Sequence, residues 1–334
     1  MRRLVLSAAS LALAVGLIAL MPRLVGADWT AIWRGLSSLG PGEAAILVAL
    51  WLAGLGLYTF VLTGSLPGLG HGQAFQLNAA GSAVSNLLPF GGAAGVAATF
   101  ALAGSWGFAP ASVAVSTLVS GVWNVFGRLL LPALGLAALL AIGEAPNRQL
   151  AAAAASAGAL LLACAVLLGV ALRWESAAHW VNGRLRALAA RSPRRLAVLL
   201  RGLGSALLRI RAETIGVLRT GWKTLTFGMT GYLFLQGVLF WACLWAVGQP
   251  PRLAETVAAF ALNRVLTSVV LTPGGTGVTE TGTAAVLVHF GLDASGAATA
   301  VLLYSFFTYV VEIPLGGLAW AWWLHRRGGK LPDS

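Results

Sequence analysis

Charged side chains are scarce in this sequence: 10% of 334 residues, with ten acids against 22 lysines and arginines and four histidines. A soluble domain carries about 25% charged residues, so this chain cannot clothe a water-facing surface. Cysteine is nearly missing as well. Cys164 and Cys243 both fall inside apolar runs without metal or redox spacing, and they read as small packing residues. No Ser–His–carboxylate arrangement and no metal-ligand spacing stands out, and the glycine string from Gly274 to Gly282 does not follow a strand in a βαβ unit. No cofactor or metal is therefore expected, and the chain is not expected to be an enzyme.

Hydrophobic residues make up 58% of the chain, and mean hydropathy is +0.83. Apolar runs recur at 4–25, 42–64, 112–142, 150–172, 222–248 and 296–325. Runs of about 18 residues or more are the transmembrane-helix signal, and the 42 glycines suit close helix packing in lipid. The fold class is an all-α polytopic membrane protein, one integral membrane domain over 1–334. Arg2 and Arg3 precede the first run, and Val25-Gly26-Ala27 could pass for a cleavage site. The apolar stretch from Leu4 to Met21 exceeds an ordinary signal-peptide core, so an uncleaved first span is expected.

Two further apolar regions, 72–103 and 252–290, are interrupted at their centres, by Pro89-Phe90-Gly91-Gly92 in one and Pro273-Gly274-Gly275 in the other. A helix cannot run straight through such a sequence without losing backbone hydrogen bonds. At membrane depth, broken backbone is tolerated only where protein or a wet cavity covers it.

Charge distribution sets the expected topology. The block 173–223 holds eleven of the 22 cations, and with Arg2, Arg3, Arg326, Arg327 and Lys330 accounts for sixteen. All three clusters share one side only if the two interrupted regions do not change sides. The expectation is about six full spans plus two re-entrant hairpins (eight if the hairpins span), in the cytoplasmic membrane, with both termini cytoplasmic. The net charge of +12 is accounted for by orientation and anionic headgroups, and nucleic acid is not an expected partner. Within 173–221, Leu196, Leu199, Leu200, Leu203 and Leu207 recur near helical spacing among arginines, the pattern of a basic amphipathic cytoplasmic segment.

The chain also resembles itself. Ala74-Phe75-Gln76-Leu77-Asn78 matches Ala259-Phe260-Ala261-Leu262-Asn263. Pro89 through Gly95-Val96 matches Pro273-Gly274-Gly275 through Gly277-Val278, and Gly107-Phe108 matches Gly291-Leu292. The offset is 185 residues at the asparagine, 184 at the prolines and at Gly107-Phe108, and 182 at the glycine-valine pair. A first half over 26–142 and a second over 222–325 are then inverted repeats, the sequence pointer to a midplane substrate site.

At Pro273-Gly274-Gly275-Thr276-Gly277-Val278-Thr279-Glu280 the chain resembles the flippase-like transmembrane domain of lysylphosphatidylglycerol synthases, with the weaker early element matched by Asn86-Leu87-Leu88-Pro89 through Gly95. Many members carry a Glu, and often an Arg, after the early glycines, where this chain has Val96, Ala97 and Ala98. No aminoacyl-transferring domain follows before Ser334. The resemblance implies lipid translocation, not lipid aminoacylation.

Ionisable residues inside spans are costly and are functional candidates by default. Four stand out: Arg128, Arg264, Glu280 and Glu312. The repeat offset lays Arg128 over Glu312, so an ion pair at equal depth is one expectation. Arg264 suits bidentate phosphate binding or pairing with Glu280, and Glu280 suits capping a new helix. Asn78, Asn263 and Asn86 are candidates for the cavity lining or for helix–helix hydrogen bonds. The expected function is a membrane lipid translocase for a phospholipid or polyprenyl-phosphate lipid. The alternative is a non-transporting scaffold for a partner lipid-modifying or glycosyl-transferring enzyme. Lipid identity, energy source and oligomeric state are not encoded in any motif.

Overall fold

The computed structural model of the chain describes residues 16, 18–87, 91–141, 148–173, 175–250, 252–267 and 276–328. Among them there is no strand. A helical stretch over 18–25 leads into α1 (Trp29–Ser37), then α2 (Pro41–Ser65). The first interrupted region forms α3 (His71–Leu87) and α4 (Gly91–Ser105), followed by α5 (Pro110–Ala141) and α6 (Arg148–Arg173). Next come α7 (Glu175–Ala190) and the 53-residue α8 (Arg194–Ala246). The second interrupted region forms α9 (Leu253–Leu266) and α10 (Val278–His289). The chain closes with α11 (Ala294–Ser305), a π turn (Phe306–Val310) and α12 (Glu312–Gly328).

Four segments are long and apolar enough to cross a bilayer among the described residues: α2, α5, α8 and the run Ala294–Arg326. The chain is a multi-pass membrane protein. The paired helices of the interrupted regions are shorter. At 1.5 Å per residue, α9 (14 residues) and α10 (12 residues) reach about 21 and 18 Å, against a hydrocarbon core of about 30 Å.

Glycine sets the central crossing. A Cβ on Gly228 would lie 2.7 Å from Val61 N, and one on Gly64 3.1 Å from Leu225 N. With Gly231 against Leu57 and Gly54 against Gln236, the contacts run in opposite order along α2 and α8, so the two are antiparallel with backbones close together. In lipid, where apolar burial drives little association, such close approach supplies the dispersion energy of packing.

The hairpins pack reciprocally. On α3, Gln76 Nε2 donates to Ala319 O at 2.8 Å, and Gly316 of α12 seats against Ala79 and Ala83. On α9, Ala258 and Ala261 seat against Gly135 of α5. α3 therefore rests on α12, and α9 on α5. Within the first hairpin, Gly91 and Gly95 bring α4 against Ser85 of α3, with no room for a side chain.

The basic block 173–221 takes in α7 and the first part of α8. α8 starts after Pro193, the next proline is Pro250, and the helix passes 221 without a break. Gly248, at φ 72°, lies just beyond its end. Its first part packs on α7, leaving Leu196, Leu199 and Leu203 exposed. Glu213 anchors α8 to the start of α5, accepting from Ser112 Oγ at 3.3 Å and from Arg209 Nε at 2.8 Å.

Candidate functional site

The two hairpins converge on a polar cavity of about 190 Å³. α3 contributes Asn78, Ser82 and Asn86, all on one face by their four-residue spacing. α5 adds Asn124 and Arg128, again four apart, and α9 ends into the cavity with Arg264 and Thr267. Tyr58 of α2 and Tyr232 of α8 meet edge to face at 5.0 Å on one wall. The π turn presents Thr308 and Tyr309, and Glu312 opens α12. An extra residue in a helical turn rotates every side chain beyond it, and such bulges are frequent at functional sites. Here the bulge immediately precedes Glu312, the one carboxylate among the described residues of the cavity wall.

Arg264 is 7% exposed. Its Nη2 donates to Tyr304 Oη at 2.6 Å and to Asn263 Oδ1 at 3.2 Å. The guanidinium lies over the Phe260 and Tyr304 rings at 5.3 and 5.5 Å, so cation–π attraction replaces part of its lost hydration. Tyr304 Oη passes the chain on to Gln236 Oε1 at 2.8 Å. Thr267 Oγ1 donates to Arg264 O at 2.7 Å, closing the end of α9. Arg264 Nε has no partner among the described residues.

Arg128 is oriented by Asn124, whose Oδ1 accepts from Nε at 2.6 Å, and by Thr267, whose Oγ1 accepts from Nη1 at 3.0 Å. Glu312 Oε2 accepts from Asn86 Nδ2 at 3.3 Å, and Asn86 also reaches Tyr309 O at 3.3 Å. Two guanidiniums, one carboxylate, amides and hydroxyls thus face one space. Such a set has the donors for charge-assisted hydrogen bonds to an oxyanion.

Of the residues expected from the sequence, Arg128, Arg264, Glu312 and Asn78 meet in this cavity. Glu280 and Asn263 lie behind it. Glu280 is fully buried, accepts from Gly277 N at the start of α10, and accepts from Ser305 Oγ at 2.8 Å. Its capping role is the one the geometry displays. Asn263 Nδ2 donates to Thr283 Oγ1 at 3.2 Å, joining the two arms of the second hairpin. Gly277, at φ 89°, makes the left-handed turn into α10, a backbone conformation that glycine adopts without steric cost. Gly91 and Gly92 begin α4, while Pro89, Pro273, Gly274 and Gly275 lie outside the described residues.

Sequence reasoning missed the tyrosines. The chain has four: Tyr58, Tyr232, Tyr304 and Tyr309. Three line the cavity and the fourth holds Arg264 from behind. A usable signal was present, since a scarce phenol placed repeatedly in apolar runs needs a buried partner for its hydroxyl.

Residues 7–316 match the model of the lysylphosphatidylglycerol synthase TM region. The chain belongs to that family. No curated protein gives a significant match. Membership in the lysylphosphatidylglycerol synthase TM family ties the chain to membrane lipid metabolism.

Proposed function

We propose that this protein translocates a phosphate-bearing lipid between leaflets, and that it is not an enzyme. The observation that carries the reading is the convergence of Arg128, Arg264 and Glu312 in a cavity walled by both halves of the chain. A charged group deep in a membrane protein is costly unless a partner or function retains it. Three charged groups in one polar space are what a headgroup needs to cross, its acyl or polyprenyl tails staying in lipid.

An inverted repeat supports the same reading. Under the sequence offset, Gln76 at Ala319 corresponds to Ala261 at Gly135, and Arg128 at Thr267 corresponds to Glu312 beside Ser82. Reciprocal contacts are what a pseudo-two-fold axis between opposed halves produces. The short lengths of α9 and α10 favour re-entrant hairpins over full crossings. The positive-inside count orients both termini, α7 and the basic first part of α8 to the cytoplasm, in a cell membrane. On that orientation the first hairpin enters from the cytoplasm and the second from outside. Rocking of the halves about the cavity would then expose the headgroup alternately.

The experiment is lipid movement in proteoliposomes holding purified wild type or Arg264→Ala. Fluorescent phosphatidylglycerol and a polyprenyl phosphate are followed by accessibility to an external quencher. Movement above empty vesicles for wild type, lost in Arg264→Ala while thermal unfolding stays cooperative, is expected. No movement of any lipid, with and without an ion gradient, refutes translocation and leaves the scaffold for a partner enzyme.

A further inference from the structure

The first part of α8 runs beyond the bundle. Gly221 seats against Gly64, one residue before α2 ends. Next to it Trp222 is exposed, with Lys223 Nζ over its ring at 5.8 Å, a pair suited to the bilayer interface. Leu203 precedes Gly221 by 18 residues and Leu196 by 25. At 1.5 Å per residue these are about 27 and 38 Å along the axis. A tilt of about 40° still leaves Leu203 about 21 Å out, while headgroups reach about 5–8 Å beyond the hydrocarbon. The apolar side chains exposed on this projection therefore face water.

α7 accompanies the projection. The three residues 191–193 join it to α8, and the two pack antiparallel with Asn182 against Gly204. Asn182 and Ala189 of α7, and Ala197 and Gly204 of α8, are buried along the seam. Val181, Leu188, Leu196 and Leu203 each come one position before a seam residue, and all four are exposed. In an antiparallel pair, positions with that shared offset fall on one face. The exposed Leu199, three residues after Leu196, joins them. Arg184, Arg191 and Arg195 flank this face, each three or four residues from Leu188 or Leu199. On the other face, Arg186, Arg201 and Ser205 line a groove of about 530 Å³.

Charge decides what can cover the apolar face. Residues 175–211 carry eight arginines and one carboxylate, Glu175, which His179 approaches at 3.7 Å. A second copy would bring eight more arginines to the same contact, and like charges at close quarters oppose association. The bilayer surface is out of reach by the distances above. We infer that this projection docks an acidic amphipathic helix of another protein. Its apolar stripe covers Val181, Leu188, Leu196, Leu199 and Leu203, and its carboxylates meet Arg184, Arg191 and Arg195, the helix-in-groove mode of recognition. Neither the polar cavity nor the broken hairpins contribute to this surface, so the inference does not rest on translocation.

The full chain in phosphatidylcholine nanodiscs, at physiological salt, is titrated with a labelled helical peptide and read by fluorescence anisotropy. The peptide carries leucines at alternating three- and four-residue spacing, with glutamates beside them. Saturable binding is expected, weakened at least about tenfold when serine replaces the peptide's leucines or lysine its glutamates. Leu199→Ser combined with Leu203→Ser, and Arg184→Gln combined with Arg195→Gln, should each weaken it at least about tenfold. Arg186→Gln, on the other face, should change it less than about twofold, because salt screens charges beyond about 8 Å. Equal binding of the serine peptide, or by the leucine-to-serine variant, reduces the contact to charge alone and overturns docking.

A photo-crosslinker in place of Leu199, in living cells, reads what covers the face. The expected adduct maps to an acidic amphipathic helix of another protein and is lost when Arg184→Gln and Arg195→Gln are added. An adduct to lipid or to a second copy of this chain, or no adduct, overturns the assignment. Lipid movement in proteoliposomes is read separately and stands or falls without it.

Discussion

Tyr304→Phe isolates the hydrogen-bond chain that holds Arg264. The substitution keeps the ring, which packs edge-on to Phe240 at 5.3 Å and lies under the Arg264 guanidinium at 5.5 Å. It removes only the hydroxyl, which accepts from Arg264 Nη2 at 2.6 Å and donates to Gln236 Oε1 at 2.8 Å. Tyr304 and Gln236 are each 1% exposed, so water cannot replace the lost partner. Soluble-protein values would put a hydrogen bond to a charged group at about 1.5–3 kcal/mol, with a further penalty for the orphaned Gln236. Measured interhelical hydrogen bonds in membranes average about 0.6 kcal/mol, because the unfolded chain also finds partners in the bilayer. Between those two limits, the expected loss is about 1–2 kcal/mol. The assay is unfolding in mixed micelles by titrating a denaturing detergent, followed by tryptophan fluorescence. Gln236→Met and the double variant complete the cycle, with a coupling of about 1 kcal/mol expected between adjacent partners. Additivity within about 0.3 kcal/mol would show that the hydroxyl does not link α8 to α11.

Other perturbations probe separate contacts. Gly228→Ala, whose new Cβ would sit 2.7 Å from Val61 N and 2.8 Å from Phe60 Cβ, should cost about 1–3 kcal/mol by forcing α2 from α8. Gly216→Ala in the same helix meets open space and should raise the unfolding midpoint, by up to about 1 kcal/mol of helix propensity. Glu280→Ala should lower stability by about 1–2 kcal/mol through loss of the cap, whereas Glu280→Gln should leave lipid movement near wild type. Abolished movement in a stably folded Glu280→Gln would return that residue to the substrate path. Asn124→Leu removes the acceptor that orients Arg128 Nε, so movement should drop at least about tenfold while the bundle survives.

Much of the fold was legible in the sequence because lipid imposes a coarse rule: a spanning segment must be apolar and must satisfy its backbone internally. The runs at 42–64, 112–142 and 150–172 became α2, α5 and α6 within two residues at each end. The interrupted regions became the helix pairs α3–α4 and α9–α10, as expected where proline beside paired glycines weakens helix continuation. The candidate site was partly legible by the same logic. Arg128, Arg264 and Glu312 are conspicuous because a charge in an apolar run is costly.

Other features depended on through-space arrangement. The run at 222–248 was readable as a span, but its fusion with the basic block into one 53-residue helix comes from the lack of any breaker before Gly248 together with packing on α7. The sequence also offered Glu280 and Glu312 as equals. Tertiary structure separated them: Glu280 turns inward to Gly277 and Ser305, while Glu312, carried round by the π turn, faces Asn86 and the cavity. The four tyrosines, from three segments far apart in the chain, meet only after α2 and α8 close on their glycines and each hairpin crosses to the opposite half. Composition and periodicity are local and determined which segments enter the membrane. Which buried polar groups share one space depends on helix crossings, because neighbours across a crossing are set by packing and not by distance along the chain.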